Sequence, residues 1–423
     1  MKEAGDRIVK TYIALTLFST FASSFIWGIN TLFLLDAGLS ITQAFAANAF
    51  FTLGQVLFEV PTGIVADTFG RRISDLLGSA TLFGSTILYL WMWQISGPFW
   101  AWAVVSAILG LGFTFFSGAT EAWLVDGLNS SKYEGTLESV FAKGSVASGI
   151  AMLTGTLAGG LIAQATNLGV PYILRAIMLG ITFLLAFALM RDVGFKPRKS
   201  STFADEIKSV FKASLDHGLR NPPVRWLMLS APFAGGIGIF AFYAMQPYLL
   251  ELYGSPESYA VAGIAAAIVA GAQIVGGLIV PYAGKVFGRR TVLLLFGSAA
   301  SSAALVLMGV VPNFWVVLVL LAIWSIVFAA TGPIRQAYIN GLIPSEQRAT
   351  VLSSDNLLTS SGGVVFQPAL GKAADVWGYP VSYMISAGVQ LLALPFLMLA
   401  SREKAPSDEI KEGEKTEIAK ISG

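Results

Sequence analysis

The 423-residue sequence is 55% hydrophobic, carries charge at only 12% of its positions, nets +2 and contains no cysteine. A soluble domain is charged at about a quarter of its positions, so an ordinary water-soluble globule is excluded. Disulfides and thiolate metal sites are excluded with it, and no basic stripe suits nucleic acid.

The charges are also bunched. No Asp, Glu, Lys or Arg falls between Asp75 and Glu121, Lys143 and Arg175, Glu257 and Lys285, or Arg290 and Arg335. Each gap has room for one or two membrane helices of about 20 residues. In chain order the apolar runs predict spans over 11–35, 41–65, 73–95, 99–126, 138–165 and 170–190, then 226–250, 259–282, 291–311, 314–340, 350–371 and 379–401. Gly97-Pro98 and Pro312-Asn313 mark hairpin turns inside the two longest gaps. The first run is too long for a signal-peptide core and reads as a retained span.

Lys and Arg orient the bundle. With the N-terminus in the cytoplasm, the inner segments hold nearly all the basic residues, including eight between Arg191 and Arg225, and the outer loops hold only Lys372. The predicted architecture is therefore all-α: a six-helix bundle over 1–190, a cytoplasmic loop over 191–225, a second six-helix bundle over 226–401 and a disordered cytoplasmic tail over 402–423. Phe203, Ile207, Val210, Phe211 and Leu215 recur at helical spacing within the loop, which predicts an amphipathic surface helix.

The halves repeat. Phe69-Gly70-Arg71-Arg72 recurs 218 positions later as Phe287-Gly288-Arg289-Arg290, in the equivalent loop and after a proline in each case. Gly63, Asp67, Gly70, Arg71 and Arg72 together spell Gly-x-x-x-Asp-x-x-Gly-Arg-Arg. That segment resembles the signature loop of the major facilitator superfamily. The resemblance implies two pseudo-symmetric six-helix bundles around a central cavity, with alternating access by rocking of the halves. In such a loop Asp67 is expected to be a gate latch that changes partners between states, a plain topological anchor being the other reading. Gly63 and Gly70 serve close helix approach and a tight turn. A second feature, Gly155-Thr156-Leu157-Ala158-Gly159-Gly160, resembles the span-five motif of proton-coupled drug antiporters, with Thr156 in the place of the family's proline and Ser106 in the place of its span-four arginine. Plain close packing by small residues is the other reading of those glycines.

Ionisable residues inside spans are functional candidates because burying them without partners costs several kcal/mol. Glu121 and Arg335 stand 214 positions apart at matching places in spans four and ten. They are expected to form a salt bridge between the bundles or a proton-titrating site, with Asp126 and Asp355 nearby; pairing within each bundle, Glu121 with Lys143, is the alternative. Glu59 is expected to pair with an arginine of the signature loop, and His217 to be a solvent-facing bystander. Trp27 and Asn30 in span one, with Tyr243 and Gln246 in span seven, are candidate substrate contacts.

These features predict a secondary transporter rather than an enzyme. The single histidine lies outside the spans, and no Gly-x-x-x-x-Gly-Lys-Ser/Thr motif exists for ATP. The expected activity is proton-coupled export of a small hydrophobic or amphiphilic compound. Uptake symport of a polar nutrient and a scramblase or sensor built on the same fold are the alternatives. No cofactor or metal is expected. The chain should reside in the plasma (inner) membrane with both termini cytoplasmic, as a functional monomer.

Overall fold

The computed structural model describes residues 2–195, 214–344 and 347–410, with Pro197, Lys208 and Lys212 between them. The described residues are almost entirely helical. The first half contains α1 (Lys2–Trp27), α2 (Asn30–Asp36), α3 (Ile41–Phe69), α4 (Arg71–Ile95), α5 (Phe99–Thr114), α6 (Ala119–Ser130), α7 (Leu137–Ala165) and α8 (Gly169–Leu189). After a short π-helical turn, Ser214–Leu219, come α9 (Pro222–Tyr253), α10 (Tyr259–Phe287), α11 (Arg290–Val310), α12 (Phe314–Asn340), α13 (Arg348–Leu391) and α14 (Ala393–Arg402).

The twelve predicted spans are all present, four of them in a form the hydropathy pattern did not anticipate. Span one is α1 plus α2, and span four is α5 plus α6. Spans eleven and twelve run together as α13, broken only at Gly378, whose φ of +82° reverses the chain without a loop. Among the described residues eleven helices are thus long and apolar enough to cross a membrane, the last of them holding two passes. Nearly every backbone polar group is satisfied inside its own helix, as a hydrocarbon environment demands. Large apolar side chains such as Leu57, Trp91, Trp100, Leu184, Leu278 and Trp315 face outward, as lipid-facing residues must.

The residues form two compact units. The first comprises Met1–Asp205 with Ser255–Ala267, and the second comprises Glu206–Gly254 with Ile268–Gly423. The division differs from the sequence boundaries in one respect: the N-terminal part of α10 belongs with the first unit. The reason is backbone packing. Gly263 on α10 sits against Gly160 on α7, and Ala262 and Ala266 sit against Gly28.

Small residues set the other close helix crossings, since helices approach most tightly where no side chain intervenes. In the first unit Gly54 on α3 rests on the Ala107 carbonyl of α5, and Gly110 on α5 rests on the Phe51 carbonyl of α3. In the second unit Gly236 on α9 meets Gly362 on α13. The span-five glycines follow the same rule: Gly155 lies against Ser24, Gly159 against the Phe25 carbonyl and Gly160 against Gly263. Each of the three is a close helix contact in this structure.

Two expectations about the polar connections change. The predicted amphipathic helix over 203–215 lies almost wholly outside the described residues; its last member, Leu215, belongs to the π-helical turn, where His217 is half-buried. The tail expected to be disordered from residue 402 is ordered and packed as far as Ile410, and 411–423 lie outside the described residues.

Candidate functional site

The signature loop is a tight junction between α3 and α4. Asp67 and Arg71 form an ion pair one helical turn apart. Arg72 donates its backbone N–H to Asp192 Oδ1 (3.0 Å) and its guanidinium to the Phe187 carbonyl (2.7 Å). Gly70 has φ +110°, and a Cβ there would strike the Asp192 carboxylate, so both conformation and space require glycine. Gly63 has open space where a Cβ would go in this conformation. Asp192 caps the N-terminus of α4, where helix N–H groups lack partners. Burial pushes its carboxyl above the usual range, against the pull of the Arg72 N–H and of the two arginine charges; the neighbouring Asp126 pushes it further up. Asp126 therefore belongs to this loop cluster.

The second half repeats this capping with a residue from the tail. Asp408, only 1% exposed, accepts from the Thr291 N–H (2.8 Å) and hydroxyl (2.9 Å) at the start of α11. It also accepts from Arg289 Nε (2.9 Å) and Nη2 (2.6 Å). The Arg290 N–H donates to the Asp408 carbonyl (2.8 Å), and an isolated antiparallel bridge joins Arg289 to Glu409. Asp192 follows the sixth span and Asp408 the twelfth, 216 positions later. Each caps the helix that begins at the Gly-Arg-Arg of its own half. The repeat thus extends to a carboxylate that the charged, aromatic-free tail gave no local signal for.

Each unit also contains a polar cavity. The first, about 320 Å³, is lined by Thr16, Ser19, Thr20 and Ser23 of α1, Asp75 of α4, and Thr120 and Glu121 of α6, among apolar neighbours including Phe113 and Phe116. The α1 hydroxyls recur at i, i+3, i+4 and i+7, one helical face. That stripe was readable in the sequence. Asp75 was not singled out, because its place at the edge of a charge gap reads as a span boundary; the structure puts it inside α4, 1% exposed. The Thr120 hydroxyl donates to Asp75 Oδ2 (3.1 Å), while Oδ1 has no hydrogen-bond partner. Among the described residues neither Glu121 nor Lys143 forms an ion pair, so the alternative Glu121–Lys143 pairing is not observed.

The second cavity, about 220 Å³, includes Arg335, Gln336, Asp355, Asn356, Thr359 and Gln390. Arg335 has a carboxylate partner within its own unit. Its Nε and Nη2 donate to Asp355 at 2.8 and 2.5 Å, a bidentate pair. Further bonds run to the Leu227 carbonyl (2.6 Å) and Ser230 Oγ (3.1 Å). Spacing along the chain does not reveal this pairing, since helix rotation decides whether α12 and α13 turn the two side chains toward each other.

Other candidate residues have the following neighbours. Glu59 accepts from the Ser117 hydroxyl (2.6 Å) rather than pairing with a loop arginine. Asn30 donates to Asn48 (2.9 Å) and accepts from Tyr172 (2.9 Å), beside a cluster of Phe33, Tyr89, Trp102 and Tyr172 rings. Tyr243 packs edge-on to Phe242, and Gln246 is fully buried. None of Trp27, Asn30, Tyr243 and Gln246 lines either of these two cavities. Ser106, at the arginine position of the antiporter pattern, bonds to the Tyr89 hydroxyl (2.5 Å). A buried arginine does occur on α8: Arg175 donates to Thr86 Oγ1 and to the Ala22 carbonyl, both at 3.1 Å.

Two six-span halves, each opening its third span with Gly-Arg-Arg and each enclosing a polar cavity, define a polytopic membrane protein of the transporter class. Residues 12–285 and 257–422 match the Major Facilitator Superfamily, and the chain belongs to that family. It is 27% identical over 359 residues to the tetracycline resistance protein, class G, of Vibrio anguillarum, covering 82% of this chain and 85% of the relative. Among solved structures it resembles a variant of the nucleoside transporter NupG (TM-score 0.77, 13% identity, 93% and 99% of the two chains). It also resembles a D-xylose-proton symporter (TM-score 0.67, 16% identity, 94% and 97%). The structural likenesses, at these identities, establish the fold.

Proposed function

We propose that this protein is a secondary active transporter working by alternating access, exporting a hydrophobic or amphiphilic compound in exchange for protons. The observation that carries the direction and the substrate type is the likeness to a tetracycline resistance protein along four-fifths of the chain. The protein works as a monomer in the cytoplasmic membrane with both termini inside, as the basic residues of its inner loops favour. The Asp67–Arg71 pair is the latch of the gate: it is engaged in this conformation and exchanges partners in the other. A second reading, uptake of a polar solute by proton symport, draws on the hydroxyl-lined cavity of the first unit.

Proteoliposomes with an imposed proton gradient separate the two readings. Tetracycline, and a panel of amphiphilic dyes, should accumulate on the side from which protons leave. Accumulation in the direction of proton flow, for polar solutes only, would replace export with symport. Asp67→Asn keeps size and removes charge, so it should insert normally and transport several-fold more slowly; wild-type turnover would reduce Asp67 to a topological anchor.

A further inference from the structure

We propose that Asp75 is the carboxyl group that carries the coupled proton, with Glu121 as its connection to the aqueous cavity. The inference rests on the proton-coupled reading above and names the site. Asp75 lines the 320 Å³ cavity and is itself 1% exposed. One carboxyl oxygen accepts from Thr120, and the other is enclosed without a hydrogen-bond partner. A charged carboxylate held so is expensive, because an unpaired buried charge keeps its full desolvation cost. A proton on Oδ1 removes the charge and leaves the Thr120 hydrogen bond to Oδ2 in place.

The surroundings supply no cation to do the same work. On α4 itself Arg71 and Arg72 precede Asp75 by about one turn, but Arg71 is held by Asp67, and Arg72 by the Phe187 carbonyl and the face of its ring. From α3 come the acids Glu59 and Asp67; α5 has no ionisable residue. On α6 stand Glu121 and Asp126, the latter beside Asp192. On α8 Arg175 is committed to Thr86 and Ala22, farther along α4. Tyr12 of α1, buried, stands close enough to Glu121 to feel its charge. No lysine or arginine lines the cavity.

Size argues for a proton over a larger cation at this acid. Asp75 is closed off, whereas the adjoining Glu121 is exposed. Glu121 and the hydroxyls of Thr16, Ser19, Thr20 and Ser23 offer a path from solvent along which protons can pass. No cluster of three or more acidic or histidine side chains suited to a metal ion exists among the described residues.

The direct test needs no transported substrate. Infrared difference spectra of the purified protein in lipid, recorded across a pH titration, should show the carbonyl stretch of a protonated carboxyl group. That band should vanish in Asp75→Asn and change frequency in Thr120→Val, which removes the hydroxyl donor. Persistence of the whole band in Asp75→Asn, or its absence in the wild type, would overturn the proposal. The transport arm uses tetracycline as probe. Asp75→Asn should lose gradient-driven accumulation to the level of empty liposomes while keeping exchange within about twofold of wild type; Asp75→Glu should recover part of the uphill activity. Loss of exchange together with accumulation would make Asp75 a substrate contact, and uphill transport driven equally by sodium would make the site a metal-ion site; either overturns the assignment. If the wild type moves no tetracycline at all, the export reading fails while the infrared result still decides the fate of Asp75.

Discussion

Asp408→Ala should release the tail from the Arg289 loop. The substitution removes the acceptor of four hydrogen bonds at once. Thr291 is fully buried, so its N–H and hydroxyl are left without partners; each such group costs about 1–3 kcal/mol. Arg289 is partly exposed at 38%, so water replaces much of its lost pairing, which adds no more than about 1 kcal/mol. A total near 3 kcal/mol corresponds to a shift of roughly 150-fold in the docking equilibrium, at about 1.4 kcal/mol per tenfold. The chain has no native cysteine, so a single probe reports cleanly. Ser407→Cys is nearly isosteric, and the site is 9% exposed. Its alkylation by a maleimide in detergent should be slow and should quicken by about two orders of magnitude when Asp408→Ala is added, following the opening equilibrium. Lys404→Cys, on an exposed residue, should react equally fast in both backgrounds. Rates at Ser407→Cys that agree within threefold would refute the docking of the tail through Asp408.

Two further predictions concern charge and packing. Arg335→Gln should cost about 3–5 kcal/mol, because Asp355 stays buried without its partner; the double substitution with Asp355→Asn should cost less than the sum of the single ones, as read by thermal unfolding in detergent, while Glu121→Gln combined with Arg335→Gln should be additive. Gly160→Leu places a branched side chain against the Gly263 backbone and should lower both folded yield and transport, whereas Gly180→Ala, which meets open space, should leave both unchanged; equal behaviour of the two variants would contradict the packing role of the span-five glycines.

Much of the architecture was legible because membrane insertion is a local problem. A window of about 20 residues either tolerates hydrocarbon or does not, and the positive-inside rule reads loop by loop. Span number, the six-plus-six division and the signature loop follow from runs and repeats within the chain. The breaks at Gly28, Gly118 and Gly378 do not follow, because a hydropathy window cannot tell a continuous helix from two that share one apolar run.

The partners of the buried charges were a tertiary matter. Arg335 could be assigned Asp355 within its own unit only once the rotation of α12 and α13 was known. Asp408 looked like one more charge in a solvated tail until the chain folded back onto Thr291, 117 positions away in sequence. Asp75 read as a span boundary until α4 carried it, one turn in, to the wall of a cavity shared with α1 and α6. Hydrophobic burial is non-directional and nearly additive along the chain, so composition and pattern determined which segments lie in the membrane. Hydrogen bonds and ion pairs demand ångström-scale geometry between residues far apart in sequence, and only the packed helices decide those.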